Sequence, residues 1–219
     1  KRLIQMGSYD NALVLAGDAL SEFVVSGFHS FQAIDAVSCR PFDKDRAGVS
    51  LGEAAAALYL STEKQTIRIA GEGSINDANH ISGPSRTGEG LYQSIVAACK
   101  EADMQAEAID FISAHGTATP YNDEMEAIAF DRLGLKDVPV NSLKGFYGHT
   151  LGASGLLELV ILIQEMHENR LLGTYGFTEL GVSRPIHVLR DSKEANIRVA
   201  LKTASGFGGS NAVMLLIKE

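Results

Sequence analysis

Two histidines and a lysine, each placed after a short apolar run, are the side chains best suited to chemistry in this sequence. His115 stands in Ser113-Ala114-His115-Gly116-Thr117-Ala118-Thr119-Pro120, while Lys144 and His149 bound Lys144-Gly145-Phe146-Tyr147-Gly148-His149. Imidazole and ammonium groups at strand ends suit one task in particular: stabilising negative charge on a bound carbonyl. Zinc binding is a weaker reading, because no carboxylate or thiol stands at ligand spacing to either histidine. His29, His80, His167 and His187 default to surface or structural roles.

The elements that must position these groups can be read from periodicity. Residues 11–16 form a short apolar run closed by Gly17-Asp18 and read as a buried strand. Residues 48–60, rich in Ala, Gly and Leu, read as a helix followed by a strand or as one continuous buried segment. Alternation at Ile67 and Ile69 predicts a strand over 66–70, with a long loop through Ser85. Leu91, Ile95, Val96, Cys99 and Ala102 fall at helical spacing, so 89–102 should be an amphipathic helix. Strands at 109–114 and 138–142 would then end at His115 and near Lys144, separated by a helix over 123–133 that stops at Gly134.

Residues 153–169 are apolar on nearly every side, which predicts a helix buried between two sheets. Strands at 198–203 and 212–217 flank the glycine-rich turn 204–211, which carries Gly206-Phe207-Gly208-Gly209. Alternating strands and helices favour an α/β layered fold. In open α/β sheets ligands collect beyond the carboxyl ends of strands, so His115, Lys144 and the glycine-rich turn can share one site.

Length and composition bound the function. A chain of 219 residues can bury roughly 70–75% of the surface its unfolded form exposes. The net charge of −8, with no Lys/Arg block, argues against a general nucleic-acid binder. Cys39 and Cys99 make no disulfide or metal pattern and fit a reducing cytoplasmic setting. The longest apolar stretch, 156–166, is interrupted by Glu158, Gln164 and Glu165 and is too short to span a bilayer, so no membrane association is expected. The chain starts at Lys1, without an initiator methionine, in what reads as a helix end; a fragment of a longer protein is expected.

Taken in order, the motifs carry a family resemblance. They are Cys39-Arg40-Pro41-Phe42-Asp43-Lys44-Asp45-Arg46-x-Gly48 with Leu51-Gly52-Glu53; His115-Gly116-Thr117-x-Thr119; Asn122-Asp123-x-x-Glu126; Lys144-x4-His149-x-x-Gly152-Ala153-x-Gly155; and Gly206-Phe207-Gly208-Gly209-x-Asn211. Together they resemble the β-ketoacyl-acyl-carrier-protein synthases from end to end, and it is their order and spacing that make the signal specific.

The resemblance implies a thiolase-like layered αβαβα fold, with an incomplete first half over 1–64 and a complete second half over 65–219. It implies decarboxylative Claisen condensation of a malonyl-type extender with a carrier-bound acyl chain, in fatty acid or polyketide-like biosynthesis. His115 and His149 match the family's pair of neutral donors, and the helix after His149 would keep its imidazole uncharged. Lys144 matches an electrostatic organiser, paired with Glu126. Phe207 matches a gate whose backbone N–H contributes to the oxyanion hole, and Thr117 and Thr119 match hydroxyls that contact phosphopantetheine. These two would share one face if their stretch is extended.

The matching nucleophilic cysteine lies upstream of Lys1, so this chain alone should be inactive. Cys39 and Cys99 lack the setting of an activated thiol and read as structural. The expected partners are an acyl carrier protein and, for the intact parent, a second copy in a homodimer; no metal or dissociable cofactor is required. Ser113, Leu143, the run Leu172-Gly173-Thr174-Tyr175 and Ala204-Ser205 depart from the family pattern, which leaves a specialised elongating synthase at least as well supported as a housekeeping fatty-acid role. Two alternatives remain open at this point: a non-catalytic partner similar to chain-length factors, and a malonyl-carrier decarboxylase lacking the nucleophile. Asp123-x-x-Glu126 also fits a capping box at a helix start.

Overall fold

The computed structural model describes residues 1–35 and 37–219. In chain order its elements are α1 (Arg2–Gln5), β1 (Asn11–Asp18), α2 (Glu22–Ser30), β2 (Ala54–Ser61), β3 (Ile67–Asn76), α3 (Glu89–Glu101), β4 (Phe111–Ser113), α4 (Pro120–Arg132), β5 (Pro139–Asn141) and α5 (Lys144–Tyr147). They continue with α6 (Ser154–Glu168), β6 (Arg170–Leu171), β7 (His187–Val188), β8 (Lys193–Glu194), β9 (Val199–Gly206) and β10 (Ser210–Lys218).

A six-stranded sheet in the order β3-β10-β9-β4-β5-β7 organises the chain. β3, β10 and β9 pair antiparallel with one another, whereas β9, β4, β5 and β7 pair in parallel. Side chains alternate across it, as the twofold strand period requires. Val213, Leu215 and Ile217 of β10, Leu201 of β9 and Ile112 of β4 join one core with Leu91, Ile95 and Ala98 of α3 and Met125 and Phe130 of α4. Leu216, Ala200 and Phe111 face the other way, onto Leu159, Leu162 and Met166 of α6. Leu58 of β2 packs against that second core from beyond the helix.

The apolar helix therefore lies between two sheets, as its composition predicts. Its second neighbour is the antiparallel ribbon β1–β2, paired from Asn11↔Ser61 to Asp18↔Ala54. The layers are ribbon, α6, main sheet, then α3 with α4. Close contact between the last two depends on glycine: a Cβ on Gly73 would sit 1.9 Å from the Ser94 carbonyl oxygen of α3.

Several expected boundaries move. The Ala-rich 48–60 region contains no helix; 54–61 is all strand, because pairing along β1 outweighs alanine's helical preference. α4 begins at Pro120, three residues before the expected start, with proline in the first turn where its missing N–H costs nothing. The glycine-rich turn shrinks to Phe207–Gly209 as β9 and β10 extend toward each other.

Candidate active site

His115 lies two residues beyond β4, and the loop that carries it is held by two carboxylates of α4. Glu126 accepts the N–H groups of His115 at 2.9 Å and Gly116 at 2.7 Å, together with Thr203 Oγ1 at 2.7 Å and Asn122 Nδ2 at 3.0 Å. Asp123 Oδ1 accepts the next two N–H groups, from Thr117 at 2.9 Å and Ala118 at 3.2 Å. Four consecutive backbone donors are thus satisfied by two side chains, which fixes the loop. Asp123 and Glu126 consequently do not form a capping box; the helix cap is Thr119, with no side-chain bond. Gly116 has φ +42°, and a Cβ there would lie 2.4 Å from that of Ser142, so the turn at the histidine admits glycine alone.

His149 is fixed by its own backbone, with its N–H 2.6 Å from the Ser50 carbonyl and its carbonyl accepting Gly52 N–H at 3.0 Å. The two imidazoles meet edge to face, with centroids 5.1 Å apart and planes at 82°. His149 Nδ1 accepts Leu151 N–H at 3.0 Å, and His115 Nδ1 faces Lys144 Nζ at 3.2 Å. With both Nδ1 atoms facing donors, each ring carries its proton on Nε2. Burial, followed by the positive charge of Lys144, holds His115 well below its ordinary range and His149 at about 3. Both rings are therefore neutral N–H donors at physiological pH. A 3-10 turn over Leu151–Ala153 begins two residues after His149 and runs directly into α6, and its first N–H is the one that His149 Nδ1 accepts.

The expected Lys144–Glu126 pair does not form. Lys144 is completely buried, and its ammonium reaches Glu158 Oε1 at 2.5 Å and the His115 carbonyl at 2.5 Å besides the imidazole. Glu126 is already committed to the 115–116 backbone; the lysine at the head of α5 turns instead toward α6. Glu158 also accepts Ser154 Oγ at 2.9 Å, and Lys202 Nζ stands 2.6 Å from its other oxygen. Burial would raise the carboxyl, but the two ammonium groups prevail and hold it below the usual carboxylate range. With its donors occupied and no solvent contact, Lys144 is placed to organise charge.

Thr117 and Thr119 come together with hydroxyl oxygens 2.8 Å apart. A turn achieves this, with Ala118 at φ +62°, so the condition of an extended stretch is not met and the two hydroxyls converge by another route. Phe207 sits at the carboxyl end of β9, beyond Thr203, and is half exposed; its ring stacks on Phe28 at 5.4 Å and meets Phe31 edge-on at 5.6 Å. Cys39 is buried with its thiol pushed up to about 12 by burial, and burial also raises Cys99, so neither is an activated nucleophile. Among the described residues, no group of three or more His, Cys, Asp or Glu side chains could hold a metal ion, and no helix is long and apolar enough to cross a membrane.

Residues 67–178 match the family described as Beta-ketoacyl synthase, C-terminal domain. The chain belongs to the β-ketoacyl synthase family. A 3-oxoacyl-[acyl-carrier-protein] synthase 2 of Rhizobium meliloti is 32% identical over 98% of the chain and 56% of its own length. A chain from the complex of a ketosynthase with its chain length factor from Xenorhabdus doucetiae superposes with a TM-score of 0.94 at 32% identity, covering 100% of this chain and 55% of that one. A type II polyketide ketosynthase structure, solved with its acyl-carrier protein and bound to the hexaketide, gives 0.95 at 25% identity over 100% of this chain and 58% of that one. The chain thus spans about half the length of the relatives it matches.

This β-ketoacyl synthase chain brings His115, His149, Lys144 and Glu126 into one buried site, with Thr117 and Thr119 adjoining. Sequence reasoning missed Glu158 and Lys202. The available signal was a charge where the pattern is apolar: Glu158 within Leu156-Leu157-Glu158-Leu159-Val160, and Lys202 within Val199-Ala200-Leu201-Lys202.

Proposed function

We propose that this chain is the C-terminal part of a condensing enzyme that performs decarboxylative Claisen condensation on carrier-bound acyl chains. The observation that carries the reading is the pair of neutral imidazole donors, buried side by side and backed by Lys144. As the malonyl carboxylate leaves as CO2, its bonding electrons move into an enolate. His115 and His149 donate their Nε2–H groups to the thioester oxygen where that charge develops. The enolate carbon then attacks the acyl thioester on the upstream cysteine, the new carbon–carbon bond forms, and the cysteine thiolate departs. Lys144 keeps its proton throughout and maintains the field in which neutral imidazoles work. Thr117 and Thr119 contact the phosphopantetheine arm, and Phe207 gates the nucleophile and supplies an oxyanion N–H.

In this reading residues 1–64 are the remainder of an N-terminal half and 65–219 the complete second half. Exposed apolar groups on the first part, Leu15 at 70% and Phe23 at 88%, are consistent with further layers of the parent covering it. The partners are an acyl carrier protein, in line with the complex solved for a relative, and a second copy in the intact parent; the setting is cytoplasmic, and no dissociable cofactor takes part. The likeness to a ketosynthase–chain length factor complex gives the partner-subunit reading its support, but a pocket-forming subunit has no use for two buried donors. Product analysis separates the readings. The complete synthase, given acyl and malonyl carriers, is expected to yield the 3-ketoacyl carrier. CO2 release without elongation would make it a decarboxylase, and neither product would favour the chain-length partner.

A further inference from the structure

Lys202 is a buried cation that the reaction outlined above leaves unused. It lies on β9 with Ala200, on the face turned toward α6, and is 4% exposed. Its ammonium stands 2.6 Å from Glu158 Oε2 and within reach of the carbonyls of Ser113 at 3.2 Å, Ala114 at 3.3 Å and Thr203 at 2.6 Å. Lys144 takes the other Glu158 oxygen and the carbonyl of His115. Three successive carbonyls leading into the histidine are therefore held by two lysines that share one carboxylate.

We infer that Lys202 is a positioning residue for the histidine pair: it locks the end of β4 to α6 and adds a second positive charge behind imidazoles that must stay neutral. This rests on the condensing-enzyme reading. The charges facing the pair are Lys144 from α5, Glu158 from α6 and Lys202 from β9. Glu126, on α4, spends its carboxylate on four donors, and Asp123 lies 3.9 Å from Arg46. One carboxylate between two ammonium groups leaves a net positive field at the rings. Removing Lys202 leaves Glu158 balanced by Lys144 alone, so a proton on either imidazole meets less opposition. Burial together with Lys144 and Lys202 lowers both histidines, in agreement with this sign.

The test is Lys202→Met, similar in length and uncharged, in the complete synthase. Titration of His115 and His149 by NMR is expected to show both midpoints moved upward, and unchanged midpoints overturn the inference. Malonyl-carrier decarboxylation should fall roughly tenfold in kcat, the scale of one charge lost from a water-poor site, with KM unchanged. Its acid limb should move to higher pH. A purely structural role would lower the denaturation midpoint and leave that limb in place, which also overturns the inference. A parent without any decarboxylation would defeat the functional reading, while the histidine titration would still decide the role of Lys202. Should the variant not fold, the Nζ chemical shift of Lys202 in the unaltered protein decides: an ammonium at pH 7 upholds the assignment and a neutral amine defeats it.

Discussion

His149→Ala in the complete synthase is expected to slow malonyl-carrier decarboxylation by about 10²–10³-fold while most self-acylation survives. The magnitude is that of losing one preorganised donor at a developing oxyanion, about 2.7–4 kcal/mol of barrier. The selectivity follows from geometry. His149 is held by Ser50, Gly52 and Leu151, none of which belongs to the loop that carries Thr117 and Thr119. Removing its imidazole takes away an N–H donor and leaves the neighbouring backbone in place. Single-turnover CO2 release, measured beside the rate of acyl-enzyme formation, separates the two steps. Equal losses in both would indicate a collapsed site, and an unaffected decarboxylation rate would remove His149 from the mechanism.

The largest expected effect on stability comes from Glu158→Gln. In the native chain one carboxylate, 1% exposed, faces Lys144 at 2.5 Å and Lys202 at 2.6 Å. Glutamine keeps the shape and one acceptor but leaves two buried ammonium groups without a counter-ion. Breaking a buried pair in this way costs about 3–5 kcal/mol. Burial already lowers Lys202 from its ordinary 10.5, and Glu158 opposes that shift; without the carboxylate it deepens. A lysine depressed in the folded state binds fewer protons than the unfolded chain between its two pKa values. Stability of the variant should therefore rise with pH across that window, up to the ordinary lysine range, so its deficit is greatest at neutral pH and shrinks above it. Urea midpoints at neutral and alkaline pH measure this, and a variant as stable as the parent at pH 7 would show that the triad is not ionised.

Much of this organisation was legible in the residues. The histidine pair announced itself through apolar runs that stop at glycine-flanked imidazoles, and the apolar 153–169 stretch implied a helix with sheets on both sides. What escaped was information carried across the fold. Lys144 and Glu126 both occur in recognisable motifs, so pairing them was natural, yet the direction of a lysine at the head of the one-turn α5 depends on how that turn sits against α6. α2 was missed because Val24, Val25 and Gly27 are weak helix formers; its start is marked only by Ser21, whose hydroxyl accepts Val24 N–H at 3.3 Å. Lys202 sits in a strand that otherwise reads as core, and a single charge in such a run gives no hint of its partner.

The most direct test of the condensing-enzyme assignment is the intact mass of the complete synthase after incubation with a carrier-bound acyl thioester, with the present 219-residue chain as control. A stable acyl adduct on the complete protein and none on the control is the expected result, since the thiols of Cys39 and Cys99 are buried and raised. No adduct across several chain lengths would contradict the assignment and favour a chain-length partner or a decarboxylase. An adduct on the control would contradict the structural role given to its two cysteines.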